Sequence, residues 1–201
     1  NEQVVRGLIA HELMHTVQRS RGLGEEVEEA GQAYTDTAVA NIMERGYSKE
    51  EALHFVREVL STAILCLKDI HANTELIRQG FSKELEEYYY QMLDIDDFCA
   101  MPEFYDEEET FDDLVEAIAF DIRLIPAWLP FEGLDRERSR EIKDRINECY
   151  KVNIPQTSYH VDQIRHLYHD SFQDTEEFNT KFFSQILDAS YRLIDEKLGD
   201  G

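Results

Sequence analysis

The chain has 201 residues, 43 of them Asp or Glu against 20 Lys or Arg, giving a formal net charge of −23 at neutral pH. That imbalance excludes nucleic-acid binding, which needs clustered Lys and Arg for phosphate contacts, and it disfavours anionic membrane surfaces. The length and the 42% hydrophobic content suit one domain with a sizeable core, and no apolar run approaches the roughly 18 residues that span a bilayer.

The first predicted helix covers about residues 3–21 and stops at Gly22-Leu23-Gly24. Inside it lies His11-Glu12-Leu13-Met14-His15. Positions i and i+4 sit one turn apart on the same helix face, so two imidazoles can grip one metal ion. Neutral histidine nitrogens suit Zn²⁺, and a catalytic zinc site takes a third ligand while keeping one position open. Glu12, beside the first histidine, is placed to take a proton from an attacking water. The apolar filler Ile9, Ala10, Leu13 and Met14 predicts that this helix is buried.

Residues 9–15 resemble the active-site helix of the zincin metallopeptidases, and Gln18, three residues on, resembles a position found in a zincin-like subset. The similarity covers residues 4–21. It implies a zinc-dependent peptidase acting on a peptide or protein, with His11 and His15 as ligands and Glu12 as general base. It also implies a small β-sheet ahead of the helix, whose edge strand holds the substrate. Residues 1–10 cannot supply that sheet, so an upstream segment is expected, consistent with a first residue, Asn1, that is not Met. The rival expectation is a catalytically silent zincin-like domain with a binding or regulatory role.

The rest of the chain also reads as helix, giving an all-α class over the covered residues. A second helix is predicted from the acidic turn Glu25-Glu26 to Arg45, its Ala30, Ala33, Ala38 and Ala40 permitting close packing. Ser48 and Glu51 form a capping-box signature for a third, reaching Gln79 before Gly80. Ser82 opens a fourth, ending near Leu93, and 94–109 reads as an acidic irregular segment. Thr110 caps a strongly apolar helix that Pro126 and Pro130 are expected to end. Further helices are predicted over about 134–150, 157–171 and 175–198. No hairpin or alternating strand pattern stands out. The expected organisation is one helical domain over 1–201, or a metal-site portion at 1–130 followed by a helical extension at 131–201.

Two histidines need a third partner, and three carboxylates compete. Asp69, in Asp69-Ile70-His71-Ala72-Asn73, resembles the Glu-x-x-Ala-Asn run that carries the third ligand in several zincins, with the shorter Asp in place of Glu. Asn73 would orient a ligand from behind. Glu116, in Val115-Glu116-Ala117-Ile118-Ala119, resembles the ligand stretch of other zincins and needs a partner if buried among such neighbours. Glu29, with Glu28, would face His15 if the second helix folds back across the glycine turn. Asp69 is the preferred third ligand; Glu116 and Glu29 remain open.

Three cysteines, Cys66, Cys99 and Cys149, are odd in number and widely spaced. They make neither a disulfide framework nor a zinc site, and a reducing cytoplasm is the simplest setting. His160, His166 and His169 sit near Asp162 and Asp170. His166 and His169 share a helix face that could bind a second metal, but without a third tight ligand they read as exposed or capping residues, while His54 and His71 read as structural. Tyr88, Tyr89 and Tyr90 read as packed rings with wet hydroxyls rather than oxyanion donors. Trp128 reads as a core or interface anchor.

Overall fold

The computed structural model describes residues 2–93, 110–132, 136–153, 159–172 and 175–198, with 147–153 and 159–163 described by their backbone only. All regular structure among them is helical, in the order α1 (Glu2–Ser20), α2 (Leu23–Gln32), α3 (Thr35–Glu44), α4 (Lys49–Phe55), a π-turn (Val56–Leu60), α5 (Ser61–Arg78), α6 (Ser82–Leu93), α7 (Phe111–Glu132), α8 (Arg136–Asn153), α9 (Tyr159–Ser171) and α10 (Thr175–Leu198). No helix of the described residues is long and apolar enough to cross a membrane. The segment expected to be irregular, 94–109, lies outside the described residues.

Several boundaries follow from local chemistry. Gly22 adopts φ of 78°, the left-handed conformation that ends α1 where predicted. Ser48 caps α4 with the reciprocal bonds of a capping box, the Glu51 amide donating to its Oγ and its own amide donating to the Glu51 carboxylate at 2.7 Å. At the start of α7, Thr110 and Asp113 make the same exchange, with the Thr110 amide and hydroxyl donating to the Asp113 carboxylate at 3.1 and 2.6 Å.

Three sequence expectations are corrected. The second helix is not continuous, breaking at Ala33-Tyr34 between α2 and α3. There the Tyr34 hydroxyl donates to the Thr180 carbonyl at 3.0 Å, a tertiary bond that no local pattern encodes. Nor do Pro126 and Pro130 end their helix; both lie inside α7. An internal proline costs about 3 kcal/mol relative to Ala. Burying Trp128, Leu129 and Phe131, each at most 2% exposed, offsets it at about 2 kcal/mol per side chain. Finally, α1 is not buried all round. It buries the stripe Gly7, His11, Met14 and Gln18, while Ile9 and Leu13 are 53% and 59% exposed.

The chain divides into two compact units. The first comprises residues 1–25, 68–104 and 124–155, and carries the HExxH helix. In it α1 lies along α6, and α6 along α8, over a core that includes Met14, Ile70, Leu76, Leu85, Trp128 and Ile142. The second comprises residues 26–67, 105–123 and 156–201. There α9 and α10 pair through an aromatic series, Tyr168–Phe172 at 4.5 Å and Phe172–Phe178 at 5.0 Å between ring centres. Cys66 is buried in that unit.

Candidate metal centre

The helix period brings His11 and His15 to the same side of α1, and α5 brings Asp69 to them. His11 and His15 stack edge to face with ring centres 4.6 Å apart. Their Nε2 atoms are 3.0 Å from each other, and lie 3.5 and 3.0 Å from Asp69 Oδ1. One ligand atom from each residue falls within 4.8 Å of the others, the group of metal-ligating side chains found among the described residues. His11 is deeply buried, with its side chain 8% exposed, whereas His15 and Asp69 reach solvent at 26% and 34%. The cluster therefore has one open side.

Each histidine is held from behind. His11 Nδ1 donates to Asn73 Oδ1 at 2.9 Å. His15 Nδ1 donates to Gln18 Oε1 at 3.0 Å, and Gln18 Nε2 donates to the Lys68 carbonyl at 2.9 Å. That last bond orients the Gln18 amide, since a carbonyl accepts only from the NH₂ end. Both Nδ1 atoms therefore carry the proton, and both Nε2 lone pairs face Asp69. Histidines that ligate metals are oriented in this way, through the nitrogen that does not touch the ion.

Two lone pairs and a carboxylate converging at these distances need positive charge between them. The pKa shifts of His15 and Asp69 run in that direction. The Asp69 hydrogen bond raises the His15 pKa against the lowering effect of burial, with Gln18 adding to the rise. Burial pushes the Asp69 carboxyl upward, but the hydrogen bonds and charges of His11 and His15 outweigh it and hold the group below its ordinary value. Two imidazoles and one carboxylate are also the donor set of a three-ligand zinc site. The residues present fit the ion.

Glu12 is exposed on the flank of the cluster, close enough for its charge to raise the pKa of both His15 and Tyr88. The competing carboxylates are not in the group of ligating side chains found among the described residues. Glu116 and Glu29 belong to the other compact unit and are exposed. On α7 the inward stripe is Val115, Ile118, Ala119 and Ile122, and residue 116 turns away from it. Glu28 is likewise exposed, as are His166 and His169, while the side chains of His160 and Asp162 lie outside the described residues.

The three consecutive tyrosines separate into three roles that their sequence did not distinguish. The Tyr88 ring lies against His11, with centres 6.1 Å apart and planes 27° from parallel. Its pKa is raised by burial and by the charges of Asp69 and Glu12. The Tyr89 hydroxyl accepts from Asn73 Nδ2 at 2.6 Å. The Tyr90 hydroxyl donates to Glu141 at 3.2 Å. Sequence reasoning also missed the carbonyl of Pro126, which accepts from Asn73 Nδ2 at 3.0 Å. The signal was present in the two prolines, but they read as helix breakers. No family model, curated protein or solved structure matches the chain.

Proposed function

We propose that this chain carries the catalytic centre of a zinc-dependent peptidase, with His11, His15 and Asp69 as ligands and Glu12 as general base. The observation that carries this reading is the convergence of His11 Nε2, His15 Nε2 and Asp69 Oδ1 beside an exposed Glu12. The resemblance of residues 9–15 to the zincin helix supports it from the sequence side. When bound, zinc supplies a lowered pKa to water and polarises a substrate carbonyl.

The chain's own groups have distinct tasks. Glu12, exposed and acidic, accepts the proton of the attacking water and returns it to the leaving amine, so the peptide C–N bond breaks with its nitrogen protonated. Asn73 and Gln18 hold the two imidazoles in the tautomer that presents Nε2. The open side at His15 and Asp69 admits substrate, whereas His11 closes the inner wall. A reducing cytoplasm is the proposed setting, in keeping with an odd number of widely spaced cysteines.

Metal analysis and turnover test the reading together. One zinc per chain is expected in the native protein and none in His11→Ala. Glu12→Gln should keep the zinc but lose peptide hydrolysis by a factor of at least about 10². A native chain that takes up no zinc would exclude the metal site, and equal turnover by native protein and Glu12→Gln would remove Glu12 from the chemistry.

A further inference from the structure

We infer that Pro130 is a positioning residue for His11, acting through the main-chain carbonyl of Pro126 and the amide of Asn73. The inference rests on the metal-site reading proposed above, but its first link is a hydrogen-bond pattern that exists without any ion. Asn73 is wholly buried and uses both ends of its amide. Nδ2 donates to the Pro126 carbonyl and to the Tyr89 hydroxyl, and Oδ1 accepts from His11 Nδ1.

The Pro126 carbonyl decides which way that amide faces. A hydroxyl such as Tyr89 can donate or accept, so it fits either end of Asn73. A carbonyl can only accept, so it must meet Nδ2, which leaves Oδ1 for His11. Oδ1 in turn accepts only from a protonated Nδ1. The His11 tautomer, and hence whether its Nε2 presents a lone pair, is fixed two hydrogen bonds away from the cluster.

That carbonyl is available because of residue 130. In an α-helix the C=O of residue 126 would accept from the N–H of residue 130. Pro130 has no N–H, and its ring presses on the carbonyl one turn back, tilting it off the helix axis. Both prolines lie inside α7 rather than at its end, and the donor that replaces the missing N–H is Asn73. An otherwise unfavourable residue inside a helix thus acquires a function, turning a main-chain acceptor toward the metal helix.

The test uses the full chain, ¹⁵N-labelled at histidine, and reads the His11 tautomer by NMR in the metal-free protein, then zinc affinity by competition titration. Native protein should hold His11 as the Nδ1–H form. Pro130→Ala restores the helical N–H, which competes for the carbonyl and draws it back along the axis. His11 should then populate both tautomers, and zinc should bind about tenfold more weakly, as for loss of an outer-shell partner. In an Asn73→Ala background, Pro130→Ala should have no further effect on zinc affinity, because its influence passes through Asn73.

Tyr89→Phe, which leaves the carbonyl in place, should keep the native tautomer and guards against a Pro130 variant that fails to fold. An unchanged tautomer and affinity in Pro130→Ala would overturn the inference. So would an equal loss in the Asn73→Ala background, which would mark Pro130 as merely structural. Scrambling by Tyr89→Phe would make Tyr89 the anchor and equally refute it. Should native protein bind no zinc, the metal reading falls while the tautomer comparison still decides the role of Pro130.

Discussion

Gly7→Ala separates two accounts of the HExxH helix by the sign of its effect. If Gly7 were an ordinary interior helix residue, Ala would stabilise the chain by about 1 kcal/mol. The approach of α6 predicts the opposite. A Cβ at residue 7 would stand 2.9 Å from the Glu84 carbonyl carbon, nearer still to its oxygen, and 3.1 Å from Tyr88 Cβ. The nearest obstacle is backbone, which cannot rotate away, so α6 must retreat by roughly 1 Å to regain normal contact. Overpacking of that kind costs about 1–3 kcal/mol, which exceeds the propensity gain. The net expectation is destabilisation of up to about 2 kcal/mol, read as a Tm lower by a few degrees at roughly 2–4 °C per kcal/mol. Because Tyr88 and Tyr89 travel with α6, the ring against His11 and the hydroxyl on Asn73 both loosen. Zinc affinity should fall with stability, by about tenfold. Gly24→Ala is the control, being helical with nothing within 4 Å of its added Cβ, and should leave Tm equal or higher. A rise in Tm for Gly7→Ala would refute the close approach of α6.

Other perturbations probe the same residues from different sides. Asp69→Asn should abolish stoichiometric zinc uptake, whereas Glu116→Gln and Glu29→Gln should retain it, all measured by metal analysis after gel filtration. Zinc binding should release protons and weaken as pH falls. The Asp69 hydrogen bond raises the His15 pKa, so the protonated, non-ligating form persists to higher pH than for an ordinary histidine, and titrations at two pH values with proton-release calorimetry check this. An affinity independent of pH would exclude His15 as a ligand. In the second unit the Tyr191 hydroxyl is buried with no hydrogen-bond partner among the described residues, and burial pushes its pKa up to about 12. A folded pKa above the unfolded value of about 10 gives stability that is complete below pH 10 and lost between pH 10 and 12. Tyr191→Phe should flatten that alkaline loss and raise Tm at neutral pH, since it removes an unsatisfied buried group costing about 1–3 kcal/mol; a lowered Tm would show that the hydroxyl is satisfied in solution.

What the sequence disclosed was local in origin. The stops at Gly22 and Gly80, the capping box of Ser48 with Glu51, and the i, i+4 histidines all depend on neighbours a few residues away, and they agree with the helices observed. The grouping of Asp69 with the two histidines was expected only through the resemblance of the segment 69–73 to a zincin run, in which Asp stands for Glu. The rest depended on partners far along the chain. Tyr34 breaks a helix to reach Thr180, and the two prolines stay inside α7 because Trp128, Leu129 and Phe131 are buried there. The apolar filler of α1 misled for a related reason. Hydrophobic residues at 9 and 13 predict burial only if something covers that face, whereas the buried stripe runs through Gly7, His11, Met14 and Gln18, two of which are polar.

The buried polar stripe also bears on whether the cluster is a metal site or a plain ion pair. One histidine and one aspartate would make a satisfied pair; the second histidine is surplus to it. With both Nδ1 protons committed to Asn73 and Gln18, a proton placed in the cluster would have to serve two Nε2 lone pairs and Asp69 Oδ1. A proton bonds well along one line only, so a three-way arrangement at 3.0 to 3.5 Å leaves at least one acceptor poorly satisfied. A cation with several coordination directions satisfies all three at once. Anchoring both imidazoles from behind is therefore costly without an ion and favourable with one, and the two anchors are side chains, Asn73 and Gln18, that are themselves buried and held by main-chain carbonyls. An ion that binds only the folded chain then adds its binding energy to folding. Zinc should raise the Tm of the native protein and leave that of His15→Ala unchanged, and an equal shift in both would point to binding elsewhere on the acidic surface.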